Sequence, residues 1–191
     1  MRLLNKIFVW LKRIRYRKGY GVHSPFAFNF ITDVIYEKAA YYNYAKFKQL
    51  PSTKTESTKV AHLLFRLVNY QQPKTIYYYT EGEDISSLFR WAKSDVQFVD
   101  TTNTSTLIDL VYLVLQPNKS NNVIELVEHI QPMLSKDAML VVYGIGYHKL
   151  IQKQWCKIIN LPTAGISFDL YDLGILFFKQ DKNKQDYIVN F

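Results

Sequence analysis

Apolar residues recur at helical spacing over residues 3–16. Leu3, Leu4, Ile7, Trp10, Leu11 and Ile14 share one face, and Arg2, Lys6 and Arg13 take the opposite one. Gly19-Tyr-Gly-Val-His-Ser-Pro-Phe26 interrupts that pattern. Ser24 then offers an N-cap and Pro25 suits the first helical position, which predicts a helix running to about Lys38 with Ala27, Phe30, Ile31, Val34 and Ile35 inward. Tyr41–Tyr44 and Pro51–Thr55 read as irregular. A third helix follows on the stripe Val60, Leu63, Leu64, Leu67 and Val68, with Thr53 and Glu56 as a candidate capping box and Gln72-Pro73 as its end. From Thr75 the pattern alternates. Strands are predicted at 75–80, 95–100, 109–115 and 138–143, and helices at 84–93, 122–134 and 148–160. The chain closes differently, with the apolar runs Ile166–Tyr171 and Gly174–Lys179 meeting at Asp172-Leu173 as an antiparallel hairpin. Alternating β/α units closed by a hairpin predict a mostly parallel sheet with an antiparallel edge.

Charge sharpens this picture. The net charge is +8, yet residues 1–20 hold seven basic residues and no acid, while the remainder holds 17 basic and 16 acidic ones. Basicity therefore belongs to the N-terminal helix and not to the body, which argues against a nucleic-acid-binding domain. Three roles fit such a helix: packing on the domain or on a second copy, lying on an anionic membrane surface through residues 1–18, or serving as a nucleic-acid arm. No run approaches the roughly 20 apolar residues of a membrane span, and the start reads poorly as a signal peptide. A single cysteine, Cys156, excludes an internal disulfide and fits a reducing, cytoplasmic setting.

Several stretches together carry a resemblance. They are Gly21-Val-His-Ser-Pro-Phe26, Asp33-Val-Ile-Tyr-Glu-Lys38 with Tyr41-Tyr42, and Leu64-Phe-Arg-Leu-Val-Asn-Tyr70 with Pro73-Lys-Thr-Ile76. Trp155 and Gly174-Ile-Leu-Phe-Phe178 complete the set. In these and in the closing hairpin the chain resembles the class I S-adenosylmethionine-dependent methyltransferases, and within them a group of Bacteroidetes-type proteins assigned as methyltransferases. The resemblance implies a Rossmann-like methyltransferase fold over 73–191, behind a helical N-terminal region over 1–72. It also implies S-adenosylmethionine as the cofactor of an intact site, held by an acid after the first strand, a glycine-rich turn and an acid after the second strand.

The middle of the chain departs from that pattern. Tyr79-Thr-Glu-Gly-Glu-Asp84 supplies one glycine, so the cofactor-binding candidates are Glu81, Gly82 and Asp100. Asp100 is the closest match, with a turn-forming role as the alternative. Only eight residues, Thr101–Ile108, join Asp100 to the next strand. They reach about 26–29 Å, enough for an extended link but too few for a helical crossover of a dozen residues. An edge strand is therefore expected to be lost, and the edge left at 95–100 to be covered by the N-terminal helices or a second subunit. Leu110–Asn118 lacks the acid that the resemblance implies after its strand. Val142-Tyr-Gly-Ile-Gly-Tyr-His148 stands where a pair of metal-holding acids is implied, and its Gly144-x-Gly146 reads by default as a turn.

The four histidines have no metal-ligand spacing. His62 is expected to be a surface or half-buried neutral residue, His23 a turn residue or a pocket wall, and Cys156 a buried thiol. No catalytic residue and no metal site is assigned. The expected function is that of a methyltransferase-like protein without catalysis, acting through binding or assembly. It would be cofactor-free, with a homo-oligomer, a protein partner or an anionic membrane surface as its partners. The alternative is an active S-adenosylmethionine-dependent methyltransferase with an atypical cofactor site.

Overall fold

A computed structural model of the chain describes residues 2–49, 58–80, 84–101, 106–115, 123–178 and 183–191. The N-terminal half supplies α1 (Arg2–Lys12), a 3-10 turn (Ile14–Tyr16), α2 (Pro25–Phe30), a 3-10 segment (Tyr42–Gln49) and α3 (Thr58–Gln71). Then come β1 (Thr75–Tyr79), α4 (Ser86–Ala92), β2 (Gln97–Phe98), β3 (Ile108–Val114), α5 (Val123–Ile130), β4 (Leu134–Tyr143) and α6 (Lys149–Ile158). The chain finishes with β5 (Ile166–Asp169), β6 (Leu173–Phe177) and β7 (Gln185–Ile188).

The strands form one sheet in the order β2-β1-β3-β4-β6-β5-β7. β2, β1, β3 and β4 run parallel; β6 is antiparallel to both β4 and β5. This is the mostly parallel arrangement with a closing hairpin that the pattern predicted, and the Rossmann-like fold that the resemblance implies. β2 stands at one edge, next to β1, and the link from Asp100 crosses to β3 on the far side of β1. Most of that link, residues 102–105, lies outside the described residues, as do 116–122 and the Thr53–Glu56 capping box. β2 makes only two register pairs. So short an edge is itself blunt, which removes the reason to expect the N-terminal helices or a second subunit to cover it.

Two helical layers sandwich the sheet. α2, α3 and α4 pack on the face that presents Leu110, Tyr112, Val141 and Phe177. α5 and α6 pack on the face that presents Val111, Leu113, Leu140 and Val142. Alternate residues of β3 thus serve opposite layers, as pleating requires, and both are apolar because both faces are covered. Among the described residues no helix is long and apolar enough to cross a membrane.

Three differences from the predicted elements have physical causes. The second helix stops short of Lys38, because α2 passes into a π turn at Ile31–Ile35, closed by Tyr36 N–H donating to the Ile31 carbonyl at 2.9 Å. The Tyr41–Tyr44 stretch enters a 3-10 segment packed by rings, with Tyr44 stacked on His62 at 3.8 Å and Phe47 on Trp91 at 5.6 Å. β7 carries no apolar alternation and has exposed Gln185, Asp186 and Ile188. It joins β5 in parallel through the backbone, fixed by Ser167 Oγ donating to Asp186 Oδ1 at 2.5 Å.

Buried Arg66 of α3 ties the helical layer together. Its Nε donates to the Val34 carbonyl at 2.7 Å, its Nη2 to the Ile35 carbonyl at 3.0 Å, and its Nη1 to the Tyr44 hydroxyl at 3.2 Å. We expect Arg66→Met to lower unfolding free energy by on the order of 3 kcal/mol in urea titration, because two buried carbonyls lose their donor. His62 gives a pH-dependent check. Burial and the nearby Arg66 charge lower its pKa from the ordinary 6.5, so the fold favours the neutral ring. Its contribution is therefore complete above the unfolded value and is lost as pH falls through about 6.5 towards the folded value. Urea midpoints measured from about pH 7 to pH 5 should fall less steeply in His62→Phe than in the parent chain.

Candidate functional site

In open α/β sheets, ligands bind beyond the carboxyl ends of the parallel strands. Here those ends are Tyr79 of β1, Phe98 of β2, Val114 of β3 and Tyr143 of β4. Of the three predicted cofactor residues, Glu81 and Gly82 lie outside the described residues, and the structure places only Asp100. It follows β2 by two residues and is exposed. It lies near enough to β1 for its charge to help raise the Tyr77 phenol, after burial and Tyr79 as larger causes.

Asp84 stands just before α4 and bonds to its first residue. Its Oδ1 accepts from Ser86 N–H at 2.8 Å and from the Tyr78 hydroxyl at 3.3 Å. Hydrogen bonds to Ser86 are the main cause that holds its carboxyl below the usual range. Asp109 sits at the other end of the sheet. Its Oδ2 accepts from the backbone N–H of Lys74 at 2.8 Å and of Thr75 at 3.2 Å. It locks the starts of β1 and β3 and is far from any strand-end chemistry.

Beyond β4, the chain packs a glycine turn against its own hairpin loop. Gly144 has φ +75, and the turn closes through Tyr147 N–H to the Gly144 carbonyl at 2.9 Å. The hairpin loop seals it from above, with Gly144 N–H donating to the Asp172 carbonyl at 2.6 Å and Gly146 N–H to the Tyr171 carbonyl at 2.9 Å. A Cβ on Gly146 would lie 2.2 Å from the Tyr171 ring. The bare surface that glycine could offer to a ligand is thus taken by a tyrosine, itself held at φ +69. Tyr147 packs edge-on between Tyr143 and Tyr171. Burial first, then its bond to Tyr143 and the Asp172 charge, push its phenol far above the ordinary value. At neutral pH it is a proton-bearing donor and neither a base nor a nucleophile. His148 is committed as well, since its Nδ1 accepts from Leu150 N–H at 3.2 Å and caps α6. Among the described residues no three His, Cys, Asp or Glu side chains converge on a point that could hold a metal ion.

His62 is the half-buried neutral residue expected, and His23 is exposed in its turn. Cys156 corrects the expectation of a buried thiol. It is exposed, because α6 turns Ile151, Trp155 and Ile158 inward and Cys156 falls just off that stripe. Cavities among the described residues also went unforeseen. One of ≈ 290 Å³ lies between α1 and the chain end, lined by Trp10, Arg13, Lys59, Tyr171, Asp172 and Phe191. Another of ≈ 420 Å³ is walled by Asn29, Asp33, Tyr41, Arg66, Asn69 and Tyr70. The first joins segments from opposite ends of the chain, so no local pattern announces it. The second is built from stretches that carry the family resemblance.

No family model matches the chain, and no curated protein matches it in sequence. Among solved structures, it is similar to a methyltransferase from Geobacter sulfurreducens, at 12% identity and a TM-score of 0.45, over 74% of this chain and 91% of that one. It is also similar to a protein assigned as a caffeoyl-CoA O-methyltransferase from Staphylococcus aureus, at 11% identity and a TM-score of 0.48, over 92% of this chain and 99% of that one.

The Trp155–Gly174 match has a packing cause. A Cβ on Gly174 of β6 would meet three atoms of the Trp155 ring at 2.8 Å. Gly174→Ala should therefore cost about 1–3 kcal/mol of stability, read from the urea midpoint, and Trp155→Phe in the same chain should recover part of that loss.

Proposed function

We propose that this chain is a methyltransferase-like protein that has lost catalysis and acts through binding or assembly. The observation that carries this reading is the self-filled turn after β4. Where the resemblance implies acids that hold an ion and orient a substrate, Gly144 and Gly146 are bonded to the hairpin loop and Tyr171 covers the glycine face. Tyr147 and His148 follow, one a half-buried neutral phenol and the other a helix cap. Transition-state stabilisation needs donors and charges aimed at a vacant position, and these groups are aimed at one another.

A second reading, an active S-adenosylmethionine-dependent methyltransferase, has one observation in its favour. Asp100 is an exposed acid just beyond β2, the position from which the resemblance implies a hold on the ribose hydroxyls. Of the implied cofactor set it is the one member among the described residues. The methyl chemistry would belong to the cofactor; the chain's share would be to orient it through Asp100, Glu81 and Gly82.

Isothermal calorimetry with S-adenosylmethionine and S-adenosylhomocysteine separates the two. Absence of binding at micromolar concentrations is the expected outcome. Micromolar binding that Asp100→Ala abolishes would overturn the proposal.

A further inference from the structure

The N-terminal helix is docked through a polar residue, and part of its apolar side stays exposed. Arg13, which sequence periodicity puts on the polar side of that helix, faces the body. It forms a paired contact with Asp169, Nη1 to Oδ1 at 2.8 Å and Nη2 to Oδ2 at 3.1 Å, and its side chain is only 16% exposed. Nη1 also donates to the Asp169 carbonyl at 3.1 Å. The chain end adds a second tie, with Asn190 Nδ2 donating to the Trp10 carbonyl at 3.1 Å. Ile7 and Trp10 border the cavity against the chain end, and the apolar residues around them remain open to solvent. Ile7 is 50% exposed, Phe8 58%, Leu11 54% and Ile14 50%.

We propose that this outward face binds an anionic membrane surface. Charge decides among the occupants. Lys12, Arg15, Arg17 and Lys18 are all exposed around the apolar stripe, and residues 1–20 contain no acid. A second copy meeting the same face would bring two uncompensated basic clusters together, which opposes a symmetric pair. An anionic lipid surface instead complements them, with each basic residue near the surface raising affinity about fivefold. The side chains are arranged for such an interface. Lys12 Nζ lies 4.4 Å over the Phe8 ring, so this cation rides on an apolar group that can insert. Tyr20, 82% exposed, adds a further ring suited to headgroup depth. The Arg13–Asp169 tie fixes the orientation of the stripe relative to the body, so the helix lies along the surface without leaving the domain.

The test uses the full chain and two vesicle preparations, phosphatidylcholine alone and phosphatidylcholine mixed with phosphatidylglycerol. Co-sedimentation should occur with the mixed vesicles, weaken as sodium chloride is raised, and fall at least tenfold in Phe8→Glu/Leu11→Glu. Both changes are at exposed positions, and an unchanged urea midpoint would verify that the fold survives them. Failure to sediment with the mixed vesicles overturns the proposal. So does binding that the double substitution leaves intact. A dimer in analytical ultracentrifugation that the same substitution dissociates would also overturn it, by assigning the face to self-association. Cofactor calorimetry reads none of these outcomes, so the membrane proposal and the non-catalytic reading stand or fall separately.

Discussion

The helical layer depends on one buried cation. Arg66 leaves water in the middle of α3, and all three of its acceptors are neutral: two carbonyls at the end of the π turn and one tyrosine hydroxyl. A cation so placed is tolerable because the end of a helix carries partial negative charge and exposes carbonyls with no partner of their own. The arrangement solves two problems together. The π turn ends abruptly with its last carbonyls satisfied, and the 3-10 segment is fixed against α3 at Tyr44. Phe30 and Ile31 are then held over the sheet, where Phe30 meets Phe168 at 4.8 Å and Phe177 at 5.1 Å. The aromatic seam joining the N-terminal region to the hairpin strands follows from that placement.

The residues behind the family resemblance belong to this same framework. Ser24 caps α2 by accepting from Ala27 N–H at 3.4 Å, Phe26 lies edge-on to Phe177 at 5.3 Å, and Trp155 fills the space over Gly174. Arg66 itself comes from Leu64–Tyr70. These residues preserve how the layers meet. Strand ends are under a different constraint, because a ligand site needs groups that point into open space and contribute nothing to packing. After β4 the space beside Gly146 is taken by Tyr171, so this turn serves packing.

This division also explains what was legible in the sequence. Core strands and helices announce themselves because each apolar position answers to a period, and β3, α3 and the closing hairpin were read close to their observed bounds. The Ser24–Pro25 start was legible from local chemistry. β7 was not, since an edge strand held by backbone bonds and one Ser167–Asp186 contact needs no apolar pattern. Cys156 was misread because a neighbouring Trp155 and Ile158 say nothing of a position one step around the helix. At the site, the missing glycines and acids were visible as absences. What occupies their place was not, because Tyr171 reaches Gly146 from a loop that is remote in sequence.

The N-terminal helix marks the limit of pattern reading most clearly. Periodicity identifies its apolar face and, for an ordinary domain helix, predicts that this face is buried. The observed docking is held by Arg13, Asp169 and Asn190, contacts with specific geometry, beside a cavity that Ile7, Val9 and Trp10 line. Such contacts can hold a helix in register while leaving its hydrophobic side unspent. A partner's burial of that side would then add to the docking, because Phe8, Leu11 and Ile14 stay exposed while Arg13 makes the ion pair. The ion pair is on the body side and shielded, so neutralising the outward basic residues at a lipid surface would leave it in place. The same twelve-residue neighbourhood thus serves the fold through one edge and remains available through the other, a separation that sequence periodicity alone cannot reveal because it reports only that the two faces differ.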